Sequence, residues 1–399
     1  MIARIRLVPR VVWRVLIHSM LVGLGMSFFD VLFNFFLVSQ GYATDTIGVL
    51  STVARIAGLI VGIPVGRFID RVGARRALMT AVVLYVVALI VVIFAPNRLV
   101  LMVGQFLVGC AFAMLFSAMF PLLSLVTPHA QQPTVFGFNE AALNMTGLAG
   151  SIIAGWLPSV LAPWLQVGDQ STMAYRAALL IGIMILFCAA LPLLGDMPYA
   201  VDTHDANNVP LVAAPERKTS RIVLYGLAGF LIGMGSGTFF PFQSLFLRTQ
   251  FALSDAQVGT FLSFGGVALG IGAIMAGHFM GQRDLRIWSS VFRILAAPAL
   301  LCLLAPVIWV AMLGFILRAM LIGASIALND VLIMRLVNPQ QRGFASSIWN
   351  MTWAAGWAIT STLSGYMQPY YGFTLLIILG AVAYVLSGIC IWLFQREEA

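Results

Sequence analysis

Six ionisable side chains lie well inside long apolar runs of this chain: Asp30, Arg55, Glu140, Arg293, Arg318 and Asp330. Charge placed in hydrocarbon is expensive and marks ion or substrate pathways by default. Asp30 is the leading candidate. A carboxylate there can bind and release a coupling proton, or pair with a cationic substrate. Asn34 lies four residues on and shares its helix face. Asp30 stands about twelve residues before the turn at Gly41–Thr44 and Arg55 about twelve after it, so both sit ~18 Å from that end at ~1.5 Å per residue. Asp30 can pair with Arg55 or reach Arg318, and a static Asp30–Arg55 bridge would orient two helices instead. Arg318 can hold an anionic group bidentately. Gln105, Gln243 and Asn329 supply hydrogen bonds without charge. Asp330 and Arg335 suit a salt bridge between the two halves of the chain, whereas Glu140 and Arg293 are expected to snorkel or pair near the cytoplasmic surface.

Catalysis is not expected. His18, His129, His204 and His278 are scattered, and no HExxH, GxxxxGK[ST] or GxSxG run occurs. Cys110, Cys188, Cys302 and Cys390 all fall in apolar runs without CxxC spacing, so neither a metal nor a disulfide framework is expected. No cofactor is called for.

The elements that must position these groups follow from composition. Hydrophobic residues make up 61% of the 399 and charged residues 9%, against about 25% charged in soluble domains. Such a chain cannot cover itself with an aqueous surface. Residues 343–395 carry no Asp, Glu, Lys or Arg; a membrane-spanning helix needs about 20 apolar residues, so this run holds two spans turning at Gln368-Pro369-Tyr370-Tyr371-Gly372. The whole pattern predicts twelve helices at 13–39, 45–68, 76–95, 99–126, 134–162, 174–195, 222–248, 255–280, 287–304, 307–334, 343–367 and 372–394. Continuous apolar runs exclude a barrel, whose strands alternate. Sixteen Lys and Arg residues flank the N-terminus and the ends of even-numbered spans, against Arg98, Arg176 and Arg248 on the other side. This bias places both termini in the cytoplasm of a multi-pass protein of the cell (inner) membrane. The net charge of +8 therefore records topology, and no nucleic-acid partner is implied. Arg4–Arg14 runs straight into the first span, which is expected to act as its own uncleaved signal.

Residues 1–195 and 222–399 read as two six-helix bundles joined by a polar cytoplasmic linker, 196–221. The halves resemble each other. At an offset of 211, Phe28-Phe29 falls on Phe239-Phe240 and Gly66 on Gly277; at 206, Asn144-Met145-Thr146 falls on Asn350-Met351-Thr352 and Gly150 on Gly356. Parallel six-span repeats suit transporters that rock one half against the other. Pro241 stands where the first half has Asp30 and predicts a bend that frees backbone polar groups.

After the second span stands Gly66-Arg67-Phe68-Ile69-Asp70-Arg71-Val72-Gly73-Ala74-Arg75-Arg76. This resembles the loop motif of the major facilitator superfamily, with Phe68 for its leucine and Ala74 inserted before the basic pair. Gly66 would allow close helix approach and Gly73 a tight turn, and Asp70 can lie against a neighbouring helix N-terminus. The resemblance implies that this loop latches one face closed, through Asp70 with Arg71 and Arg75, and that Asp330 joins the latch. It also implies that the first, fourth, seventh and tenth spans line a substrate path, which gathers Asp30, Asn34, Gln105, Gln243, Arg318 and Asn329. The expected fold is all-α: two pseudo-symmetric six-helix bundles. The family's span-four arginine is replaced by Gln105, and the span-five Gly-Pro pair of drug antiporters is missing from Gly147-Leu148-Ala149-Gly150.

These observations favour a secondary active transporter working by alternating access, most simply a proton-coupled exporter of an amphipathic or drug-like small molecule. Its partners would be that substrate, the lipid bilayer and protons, and a monomer is expected. Organic-anion transport fits Arg55 and Arg318; sugar transport fits the neutral amides. A membrane receptor or channel-like protein is the reading from another class, disfavoured by the repeat and the short tail. The phenylalanines around Asp30, from Phe28 to Phe36, read as cavity walls or lipid-facing residues.

Overall fold

A computed structural model of the chain describes residues 10–128, 131–195, 219–279, 285–336 and 342–396. Most of the 196–221 linker lies outside these. The first half runs α1 (Arg10–Ser39), α2 (Thr44–Val72), α3 (Ala74–Ile93), α4 (Arg98–Val126), α5 (Gln132–Leu165) and α6 (Thr172–Cys188). The second runs α7 (Thr219–Gly237), a 3-10 turn (Phe240–Phe242), α8 (Gln243–Phe251), α9 (Asp255–Phe279), α10 (Leu285–Leu301), α11 (Ile308–Leu336) and α12 (Arg342–Arg396). No strand forms among the described residues. The helices begin where local chemistry allows. Asn97 caps α4 by accepting from the Val100 amide at 3.0 Å, and Ser171 caps α6 through Ala174 at 3.2 Å.

Eleven described stretches are long and apolar enough to cross a membrane. The last, Ile348–Leu393, holds two spans: Gly372 takes φ 63° and ψ −164°, breaking α12 at the glycine that ends the expected turn. Span seven is broken as Pro241 predicts, into α7, the 3-10 turn and α8, because proline lacks an N–H and clashes with the preceding helical turn. The first half's turn falls at Gly41, with φ 85°.

The chain forms two compact units, one of residues 1–33 and 57–213, the other of 34–56 and 214–399. Each is built on a glycine-mediated crossing. In the first, a Cβ at Gly23 would strike the Leu143 carbonyl and the Thr146 hydroxyl, and one at Gly150 would strike Leu24 and Ser27. In the second, a Cβ at Gly229 would strike Thr352 and Trp349, and one at Gly356 would strike Phe230 and Met234. Small residues let membrane helices approach backbone to backbone, where packing replaces the hydrophobic effect as the driving force. Both crossings are related by the 206 offset. The 211 offset that pairs Phe28 with Phe239 therefore does not extend to the glycines of α1 and α7.

Residues 34–56 pack into the second unit through hydroxyls and a glycine contact. Thr44 Oγ1 donates to the Gly365 carbonyl at 3.1 Å, and Thr52 Oγ1 to the Ala358 carbonyl at 2.5 Å. Gly48 and Gly365 abut directly. Of the phenylalanines near Asp30, Phe28, Phe35 and Phe36 are fully buried and so do not face lipid, whereas Phe33 is partly exposed. Phe28 fits against Gly182, and Phe35 lies under the Arg248 guanidinium at 3.7 Å.

Candidate functional site

In the first unit Asp30 is exposed, although Phe29 and Val31 beside it are buried. It is an exposed carboxylate midway along α1. Glu140 is also exposed, and Gln105 is buried on α4. The motif after α2 separates its two glycines. Gly73 takes φ 85° and ψ 148° at the start of α3, a conformation that glycine alone adopts readily. At Gly66 no close helix approach exists: a Cβ there would meet nothing within 4 Å. Arg75 Nε donates to the Leu193 carbonyl at 2.9 Å, tying the loop to the end of the sixth span. Asp70 and Arg71 are exposed on the last turn of α2. The Asp330 side chain lies outside the described residues.

The second unit holds the arginines. Arg293 does not snorkel. It is 1% exposed, and each arm of its guanidinium has a neutral partner: Nε to Ser325 Oγ at 2.8 Å, Nη1 to Ser387 Oγ at 2.9 Å and Nη2 to Asn329 Oδ1 at 3.3 Å. Asn329 in turn donates to Tyr225 Oη at 3.3 Å, so Asn329 serves this network. Asn34 is likewise engaged. Its Nδ2 donates to the Pro241 carbonyl at 2.7 Å and to Ser244 Oγ at 3.1 Å, claiming a backbone group at the break in span seven.

Arg318, also 1% exposed, differs from Arg293. Its Nε and Nη2 both donate to Tyr384 Oη, at 3.3 and 2.8 Å, and its guanidinium lies 4.1 Å from the Phe240 ring. No carboxylate pairs with it among the described residues. It faces a cavity of about 170 Å³ walled by Phe240, Gln243, Gly265, Gly266 and Phe315 among others. Gln243 Oε1 is buried with no donor among the described residues. Phe240 stacks on Trp357 at 5.7 Å, and Arg55 lies over Trp357 at 4.5 Å and Trp353 at 5.0 Å. Both arginines thus lie on one aromatic stack, a contact worth about 2 kcal/mol for a desolvated cation such as Arg318 and less for the half-buried Arg55.

Sequence reasoning singled out Arg55, Gln243 and Arg318 one by one and missed Tyr384, Trp353, Trp357 and Gly266. The available signal was a phenol and two indoles within charge-free spans, since such tips need a polar partner when buried. No pattern links Arg318 to Tyr384, which lies 66 residues away.

Comparison with known proteins bears on this arrangement. Residues 15–221 and 225–399 match the family model of the Major Facilitator Superfamily. The multidrug resistance protein MdtG of Klebsiella pneumoniae (strain 342) is 28% identical over 122 residues, a match covering 28% of this chain and 30% of the length of that curated relative. Among solved structures, a bacterial homolog of the human lysosomal transporter Spinster, inward-facing and occupied, superposes with a TM-score of 0.78 at 14% identity, over 97% of this chain and 96% of that one. The nucleoside transporter NupG gives 0.73 at 15% identity, over 97% and 100%. These structural likenesses establish the fold. With both six-span halves matched, this multi-pass membrane protein belongs to the major facilitator superfamily and is a transporter.

Proposed function

We propose that this transporter exports an amphipathic, drug-like small molecule in exchange for protons, by alternating access, from a cell membrane in which both termini are cytosolic. The observation that carries the reading is Asp30: an exposed carboxylate flanked by buried residues in the middle of α1. A charge is tolerated at such a depth only where it meets water or a partner, and an exposed acid there can load and release a proton whether or not it also makes an ion pair. The partial likeness to a multidrug resistance protein favours export of an apolar or amphipathic compound. The lysine and arginine bias supports the orientation.

Transport by wild type and Asp30→Asn in proteoliposomes, with an imposed pH gradient of either sign, tests the reading. In wild type the gradient should accelerate exchange; in Asp30→Asn that acceleration should vanish while gradient-free counterflow continues. Equal gradient dependence in both would remove Asp30 from the coupling step.

A further inference from the structure

We infer that the cavity beside Arg318 is a headgroup site for an amphipathic organic acid carrying a hydrogen-bond donor next to its carboxylate. The inference rests on the exporter reading and narrows its substrate class.

Two buried arginines occupy the second unit, and their partners differ. A guanidinium presents five N–H donors. At Arg293, Nε, Nη1 and Nη2 each find an oxygen, so that arginine is a structural post. At Arg318 one phenol oxygen, Tyr384 Oη, receives the bonds from both Nε and Nη2, and the guanidinium borders a cavity. A buried cation gains most from a carboxylate held bidentately. The cavity is where such a group would sit.

Its other walls specify what accompanies the charge. Gln243 Oε1 is an acceptor without a donor, so the ligand should carry an O–H or N–H beside its anionic group. Phe240, Phe315, Leu262 and Ile322 supply apolar surface. About 170 Å³ falls short of the ~300 Å³ at which pockets for whole drug-sized ligands begin, so the cavity suits a headgroup whose chain extends beyond it. Gly266 keeps it open. A Cβ there would meet nothing within 4 Å, whereas one at Gly265 would strike the Phe315 ring. The two adjacent glycines thus separate: Gly265 seats Phe315, and Gly266 gives space to the site.

The test is calorimetric titration of the purified protein in neutral detergent, without a pH gradient, so that it reads this site whether or not proton coupling holds. The probes are 2-hydroxyoctanoate, octanoate and octyltrimethylammonium. Wild type should bind 2-hydroxyoctanoate, and octanoate about fivefold more weakly for want of the neutral hydrogen bond to Gln243. Gln243→Leu should erase that difference. Arg318→Lys should weaken both acids about tenfold or more, because lysine lacks the planar fork. Gly266→Leu should do the same by filling the cavity while Arg318 and Tyr384 stay in place, which keeps the test valid should an Arg318 variant fail to fold. Octyltrimethylammonium binding as tightly as the acids would overturn the assignment. So would acid affinities unchanged in Gly266→Leu.

Discussion

The two halves of this transporter share a backbone solution and diverge in chemistry. In the first unit Gly23 meets Leu143 and Thr146, and Gly150 meets Leu24; in the second, Gly229 meets Trp349 and Thr352, and Gly356 meets Phe230. Even the threonines repeat: Thr146 Oγ1 donates back to the Ala142 carbonyl at 2.7 Å, and Thr352 Oγ1 to that of Ile348 at 2.9 Å. Each hydroxyl thus has its own hydrogen satisfied within its helix where it meets the crossing. Around this common joint the charges differ in sign and in burial. Within its helices the first unit exposes the carboxylates of Asp30, Asp70 and Glu140, whereas the second buries two guanidiniums, Arg293 and Arg318. The joint tolerates no side chain and so has been kept in both copies. Positions off the joint could diverge, and on the proposed reading one half would handle protons and the other hold an anion.

The comparison breaks most visibly at its glycines. Gly150→Leu and Gly356→Leu should each prevent stable folding, because the first added carbon already meets backbone of the facing helix and cannot be relieved by rotating a side chain. Size-exclusion profiles of detergent-solubilised protein should show aggregate for both and a monodisperse peak for Gly266→Ala. A monodisperse Gly150→Leu beside an aggregated Gly356→Leu would mean that the two joints are not equivalent.

The contrast in burial is tested next. Arg293→Ala should cost on the order of 3 kcal/mol, from the space left behind and from Ser325, Ser387 and Asn329 losing their shared donor. Arg293→Met, which fills that space without charge, should cost much less, since buried ionic groups are often replaced by apolar ones with little loss. Asp30→Asn should stay within about 0.5 kcal/mol, as exposed substitutions do. Thermal unfolding in detergent ranks the three, and an Asp30→Asn loss as large as that of Arg293→Ala would make Asp30 a packing residue.

Much of this arrangement was legible before any coordinates, for reasons that are local. Long apolar runs give the spans, Gly372 marks the turn between the last two, and Pro241 breaks span seven because its missing N–H acts within one helical turn. The partners of the polar groups were not legible. Asn34 bonds the carbonyl of Pro241, 207 residues away, and nothing in either stretch announces the other. Arg293 was misjudged for the same reason. Near the end of a span, snorkelling is the simplest expectation, and only packing shows that three oxygens from two other helices converge on it. The repeat was detected through Asn144-Met145-Thr146, yet its meaning as a glycine joint depends on which helix faces which.

The finest distinction lies inside the loop motif, where two glycines that read alike in sequence do different work. Gly73 holds φ 85° and ψ 148° as the cap of α3, a region costing other residues about 1–3 kcal/mol. Gly73→Ala should therefore lower the unfolding midpoint. Gly66 sits within α2 with open space where its Cβ would be, so Gly66→Ala should raise stability by roughly 0.5–1 kcal/mol through helix propensity and reduced freedom of the unfolded chain. Opposite signs from neighbouring positions of one motif would assign Gly73 to shape. They would leave Gly66 free of any packing role in this conformation. If Gly66→Ala is stable yet slows substrate counterflow, Gly66 must meet a facing helix in another state of the transport cycle, and its place in the motif is then explained by motion.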